Sequence, residues 1–319
     1  MATRTPIQTG SRRDQDHSGQ ARSWARRAGE GGRRLSLLAP AKLNLYLHIV
    51  GRRADGFHLL DSLVAFANIG DHITVSPAHS LNIAITGPFA AELSAHDPTQ
   101  NLVWRAAEAL ARELGRAPGA QIVLEKNLPI ASGIGGGSSD AAATLMSLAA
   151  LWKAKLSSER LVALAAKLGA DVPVCLVGQA AFIGGIGETI APAPALPEAW
   201  VVLVNPRREL PTPDVYKSRQ GPFGQPARFA YAPTNAAELA AILQQRRNDL
   251  GDAARAIVPE IDDVLAALAA CDGALMTRMS GSGATCFALF ADEGASAAAA
   301  AHVRRAKPGW WVASGRLLS

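Results

Sequence analysis

Cysteine is scarce in this 319-residue chain: there are three, Cys175, Cys271 and Cys286, and no two of them form a CxxC spacing. That excludes a disulfide framework and a thiolate zinc site, and it fits a reducing cytoplasmic setting. No run of about 18 predominantly apolar residues occurs, so no membrane span is expected. The longest stretch free of Asp, Glu, Lys and Arg, His72 to Ala91, is broken by Pro77 and Pro88. Lysine is sparse as well, with seven against 25 arginines. The histidines form no metal-ligand spacing, so no structural metal is expected.

What is present is an apolar fraction of 49% with 18% charged residues. A chain of this length and composition buries a full core, which excludes global disorder. Its length favours two domains. The net charge is +5, yet the first 34 residues hold eight arginines against three acids, so the remainder is neutral in total. Residues 1–34, rich in Arg, Gly, Ser and Gln, read as a disordered basic tail without the apolar run of a secretory signal. A nucleic-acid binder carries its basic patch on the folded domain. Neither a nucleic-acid partner nor a membrane partner is therefore expected.

Lys42 to Val50 alternates strictly. Leu43, Leu45, Leu47 and Ile49 are expected on a core face, and Lys42, Asn44, Tyr46 and His48 on a polar one. Further strands are expected at Ser62–Ala67, His72–Ser76, Leu81–Thr86, Gln121–Lys126, Val201–Val204, Ala274–Thr277, Thr285–Phe290 and Trp311–Ala313. Helices are expected at Asn101–Leu114, Ser138–Trp152, Ser157–Leu168, Ala236–Arg246, Ala253–Ile257, Ile261–Ala270 and Glu293–Arg305. The proline-rich segment Ala191–Pro197 breaks the pattern and divides the chain into 35–192 and 193–319.

The sharpest local feature is the run from Pro129 to Asp140, with Gly133, Gly135, Gly136 and Gly137 between an expected strand and an apolar helix. Clustered glycines let backbone amides approach a ligand, and the free N–H groups and positive dipole end of the next helix face the same place. This is a site for an anion, most commonly a nucleotide phosphate. It is neither of two well-known loops. No lysine follows Gly137, as a Walker loop requires, and the sixth position from Gly133 is Ser138 where a dinucleotide fingerprint has glycine. A glycine turn capped by serine is the plainer alternative.

Pro129 to Ser139 resembles the second motif of the GHMP kinases, Ala39 to Leu45 the first, and Ser280 to Phe287 the third. Within that family, Pro40 to Asn44, Arg53 to His58 and Gly169 to Pro173 resemble a member that phosphorylates the 2-hydroxyl of a cytidine diphosphate-linked polyol on the non-mevalonate route to isoprenoids. The resemblance implies an α+β, two-domain GHMP kinase fold: a ribosomal protein S5 domain 2-like N-terminal domain for nucleotide binding and catalysis, and a ferredoxin-like C-terminal domain. It implies a cytoplasmic monomer or weak homodimer using ATP with Mg2+, with the site in the cleft between the domains. By the same resemblance, Lys42 and Asp171 are the catalytic pair, with Asp171 as general base.

Pro129, Ile130, Ala131, Ser132, Gly133, Ile134, Gly135, Gly136, Gly137, Ser138 and Ser139 would bind ATP, with Lys126 within reach of the nucleotide. Asn44, Phe57, His58 and Tyr216 would bind substrate. Phe57 stands where the family usually has Tyr, and Ala131 and Ser132 stand where glycines are frequent. Metal ligands are not assigned.

By position alone, Asp171 reads equally as a turn residue before an apolar strand-like run, Lys42 as a solvated edge lysine, and Phe57 and His58 as core and surface residues. Two other readings remain at this level. One is another GHMP kinase, for homoserine, mevalonate or a sugar. The other is a non-enzymatic nucleotide- or nucleic-acid-binding protein using the tail.

Overall fold

The computed structural model describes residues 34–95 and 97–318, so the tail expected at residues 1–34 lies outside the described residues, Arg34 apart. The first half runs β1 (Leu35–Arg52), β2 (His58–Pro77), β3 (Leu81–Thr86), α1 (Ala90–Ser94), a 3-10 turn (Pro98–Gln100), α2 (Leu102–Glu113), β4 (Ala120–Glu125), α3 (Gly136–Leu151), α4 (Ser158–Leu168), α5 (Val172–Val177), β5 (Ala181–Gly185) and β6 (Thr189–Pro192). The second runs β7 (Trp200–Asn205), α6 (Thr212–Ser218), α7 (Ala236–Gln244), α8 (Gly251–Ile257), α9 (Glu260–Ala269), β8 (Met276–Met279), β9 (Cys286–Phe290), α10 (Glu293–Ala306) and β10 (Trp311–Leu318).

β2 organises the sheet. The two strands expected at 62–67 and 72–76 are one, 20 residues long. One edge of β2 pairs with β1. The other edge takes β5 at Leu60–Val64, β10 at Phe66–Ala67 and β4 at His72–Pro77. β10 also pairs with β7, so the last strand ties the second half to the first. Residues 193–199 carry the chain from β6 to β7, and we take them as the boundary between the halves. Helices α2 to α5 cover an apolar core built on β2 and β4, and α8 to α10 cover another on β7 and β9.

Two expectations are corrected. Strands this long bend at bulges, and β1 slips register between Asn44 and Tyr46. An extra residue reverses side-chain parity, so the expected alternation fails beyond that point. Leu47 shares a cavity wall with Lys42 and Asn44, while Tyr46 packs in the core with Leu43 and Leu45. The second correction is the run after Asp171, which is the short helix α5. Pro173 fits the first turn of a helix, Gly178 at φ 63° ends it, and the apolar side chains are buried. A six-residue apolar run gives no periodicity by which to tell the two apart.

Candidate active site

α3 begins at Gly136, two residues before its expected start, so Gly136 and Gly137 lie in its first turn and their N–H groups belong to the unpaired set at its N-terminus. Two glycines upstream have no substitute. Gly135 has φ +63°, and a Cβ there would lie 3.0 Å from Lys42 Cε; Gly133 has φ +75°, and a Cβ there would lie 2.5 Å from the Ser280 carbonyl oxygen. The loop is thereby wedged between β1 and the 280–285 turn. Lys42 N–H donates to Ile134 O at 2.9 Å and Thr285 N–H donates to Ser132 O at 3.2 Å. Ser280 Oγ donates to Gly133 O at 3.0 Å and accepts from Asn44 N–H at 3.1 Å. The third motif packs against the second.

Lys42, on β1, and Asp171, at the start of α5, meet at 2.8 Å. Their side chains are 6% and 43% exposed, so the ammonium is enclosed while the carboxylate faces the cavity. Asp171 makes no side-chain bond to the N-terminus of α5. The turn reading of this residue needs such a bond; its partner is instead a lysine far away in sequence. The pair shares a cavity of about 440 Å³ with Asn44, the loop and Tyr216. Ile134 and Ser139 do not line it: Ile134 is in the core, and Ser139 Oγ donates to Pro40 O at 2.7 Å.

Lys126 also borders this cavity, but its ammonium is engaged. It donates to Asp71 Oδ2 and, at 2.8 Å, to Asp140 Oδ2, with all three side chains buried. Asp71 Oδ1 accepts from the N–H groups of Asn127 at 2.6 Å and Leu128 at 2.8 Å. The cluster therefore ties β2, the entry to the loop and α3 together. Burial would lower the Lys126 pKa, but the two carboxylates push it up. Burial pushes the Asp140 carboxyl up to about 7 despite the lysine.

A second cavity of about 540 Å³ adjoins the first, sharing Leu60, Thr212 and Tyr216 with it. It holds Phe57, 58% exposed, and His58, whose ring lies 5.4 Å from that of Tyr216. Burial, then the charges of Arg52 and Arg219, lower the His58 pKa, so the imidazole is neutral at pH 7. Burial and the charge of Asp171 keep the Tyr216 hydroxyl protonated. Phe57, His58 and Tyr216 are thus brought together next to the Lys42–Asp171 pair.

Residues 101–179 match the GHMP kinases N terminal domain and residues 232–309 the GHMP kinases C terminal. Over 280 residues the chain is 52% identical to the 4-diphosphocytidyl-2-C-methyl-D-erythritol kinase of Rhodospirillum rubrum, across 88% of this chain and 91% of that one. The chain belongs to the GHMP kinases. A second relative of the same name, from Paramagnetospirillum magneticum, is 51% identical over 89% of this chain and 99% of its own. A crystal structure of 4-(cytidine 5'-diphospho)-2C-methyl-D-erythritol kinase superposes with a TM-score of 0.73 at 34% identity, covering 89% of this chain and all of that one. The homoserine kinase of Cytophaga hutchinsonii, 19% identical with a TM-score of 0.63, shares the fold. The α+β, two-part GHMP architecture is as expected, and this GHMP kinase is an ATP-dependent small-molecule kinase. The non-enzymatic reading is set aside. No helix among the described residues is long and apolar enough to cross a membrane.

Several cavity residues of this GHMP kinase carry no local sequence signal. Thr212 lines both cavities and meets Ser282, of the third motif, at 2.8 Å, and Arg52, Lys217 and Arg219 line the second cavity. The loop's departure at Ala131 has a measurable cost. Its φ of 48° lies in the left-handed region, where a Cβ is unfavourable by about 1–2 kcal/mol. The gain in unfolded-state entropy on going to glycine offsets part of that. Ala131→Gly is expected to stabilise the fold by about 0.5–1 kcal/mol, read as a higher urea midpoint at unchanged m-value. A lower midpoint contradicts the assignment of strain.

Proposed function

We propose that this kinase transfers the terminal phosphoryl group of ATP to the 2-hydroxyl of 4-diphosphocytidyl-2-C-methyl-D-erythritol. The observation that carries the proposal is the adjoining pair of cavities, an aromatic corner beside the Lys42–Asp171 pair, in a chain half identical to relatives of that name. A flat base needs such a corner; a small alcohol without a base does not.

In this reading the loop amides and the N-terminus of α3 hold the triphosphate. Leu93 and Leu102, at the same cavity, leave an apolar side for the adenine. The substrate hydroxyl lies against Asp171 and gives its proton to that carboxylate. The freed oxygen bonds to the γ-phosphorus as the bond from phosphorus to the β-bridging oxygen breaks, and ADP leaves. Lys42, 2.8 Å from the Asp171 carboxylate, offsets the developing charge. Phosphoryl transfer needs positioning and electrostatics more than covalent help.

Magnesium, when bound with ATP, neutralises phosphate charge. It needs only one or two protein oxygens. Asp140 Oδ1, buried without a hydrogen-bond partner at the cavity that Ser138 also lines, fits that requirement. The enzyme is expected to act in the cytoplasm as a monomer or weak dimer.

The test is ATP consumption with a panel of alcohols, with and without magnesium. Turnover confined to the cytidyl polyol supports the assignment; efficient turnover of homoserine or mevalonate overturns it. Stacking of a base on an aromatic ring is worth about 1–3 kcal/mol. Phe57→Ala is therefore expected to raise KM for the cytidyl substrate roughly 5–150-fold and leave KM for ATP unchanged. Equal shifts in both contradict the base corner.

A further inference from the structure

The second cavity has a charge imbalance that stacking does not explain. Its wall holds three cations, Arg52, Lys217 and Arg219, and no Asp or Glu. Among the described residues, none of the three is in a salt bridge. Other arginines differ: Arg53, one residue from Arg52, pairs with Asp55 at 2.7 Å, and Arg160, Arg207, Arg208, Arg228 and Arg247, elsewhere in the chain, each have a carboxylate partner. Uncompensated like charges around one concave, half-enclosed space attract an anion.

The two arginines are also held in place by neutral groups. Arg52 Nε donates to Gly56 O at 3.0 Å. Arg219 donates through one terminal nitrogen to Gly221 O at 2.9 Å and through the other to Pro222 O, with its guanidinium 5.3 Å from the Phe223 ring centre. Its Nε is buried and has no hydrogen-bond partner. A buried donor left unpaired is unfavourable until an acceptor arrives. Both charges reach the base corner, since both contribute to the lowered pKa of His58. A flat-ring corner and unpaired guanidinium groups in one cavity match a ligand with a base and doubly charged phosphate oxygens.

We propose that Arg52 and Arg219 form an anion subsite that recognises the diphosphate of a nucleotide-bearing alcohol, and so set specificity for a nucleoside diphosphate over a bare nucleoside. This rests on the substrate class proposed above.

The experiment measures inhibition by CDP and by cytidine, each varied against the cytidyl alcohol at saturating ATP so that the ATP site is occupied. For the wild type, CDP is expected to compete with the alcohol at a Ki at least tenfold below that of cytidine. Arg52→Gln and Arg219→Gln each shrink that ratio, the double variant brings it near one, and Arg52→Lys restores part of it. The cytidine Ki and the KM for ATP stay unchanged. Added salt raises KM for the cytidyl alcohol in the wild type and less in the double variant.

A CDP advantage that survives in the double variant overturns the subsite. So does an equal loss of CDP and cytidine, which would make the arginines mere supports of the loop. If the wild type fails to turn over the cytidyl alcohol but calorimetry shows arginine-dependent preference for CDP over cytidine, the substrate assignment falls and the subsite stands.

Discussion

Asp171→Asn is expected to lower kcat by about 10²–10⁴, the range for a general base, while KM for the alcohol changes little. The amide keeps the size of the carboxylate and a hydrogen-bonding oxygen, but it cannot take the hydroxyl proton. The rival role for Asp171 is to hold Lys42, its partner at 2.8 Å. Under that role the loss would be one of stability, with kcat largely preserved in the folded fraction. Thermal melting alongside steady-state kinetics separates the two. A variant that melts early but turns over at nearly the wild-type rate removes Asp171 from the chemistry.

Lys126→Met is expected to destabilise the fold by about 3–5 kcal/mol, the cost of leaving a buried charge without its partner. That is a large part of the roughly 5–15 kcal/mol available to a folded protein. Two carboxylates, Asp71 and Asp140, would face each other with no cation between them. The pH dependence follows with a definite sign. Asp140 already has its pKa raised from 3.8 to about 7 by burial, and removing the lysine raises it further. A carboxyl whose folded pKa exceeds its unfolded one favours the fold at low pH and loses that advantage as pH rises. Below about pH 7 Asp140 keeps its proton in both folded forms, so the variant's deficit should be constant from pH 4 to pH 7 and widen above pH 7, as followed by urea unfolding. Adding Asp140→Asn should recover part of the loss. A flat pH profile, or no recovery, would show that Lys126 is not compensating these acids.

The sites that could be read from the sequence are those with local causes. Gly133 and Gly135 announce a loop because their left-handed backbone and crowded surroundings favour glycine, and Asn101 and Ser157 mark helix starts because each accepts from an N–H two or three residues on. What was hidden depends on distant partners. Nothing in the sequence around Lys126 shows that Asp71, 55 residues away, is its partner. The bulge at Leu45 follows from pairing with β2, and no alternation in β1 alone reveals it. Arg52 and Arg53 look alike in sequence; only the fold shows that one is paired and the other is not. Val172 to Val177 defeats pattern reading because both a buried strand and a buried helix turn are apolar throughout.

The contact between the 280–285 turn and the glycine loop bears on the thermodynamics of the nucleotide capture proposed for that loop. With Gly133 pressed on Ser280 from one flank and Gly135 on Lys42 from the other, the cradle's backbone entropy is surrendered when the chain folds, ahead of any ligand. Arriving phosphates meet amides already aimed, so little of their interaction energy is diverted to ordering the protein. Both halves of the molecule hold this shape, so under the proposed function the integrity of the second half is a condition for ATP affinity at a loop that belongs to the first.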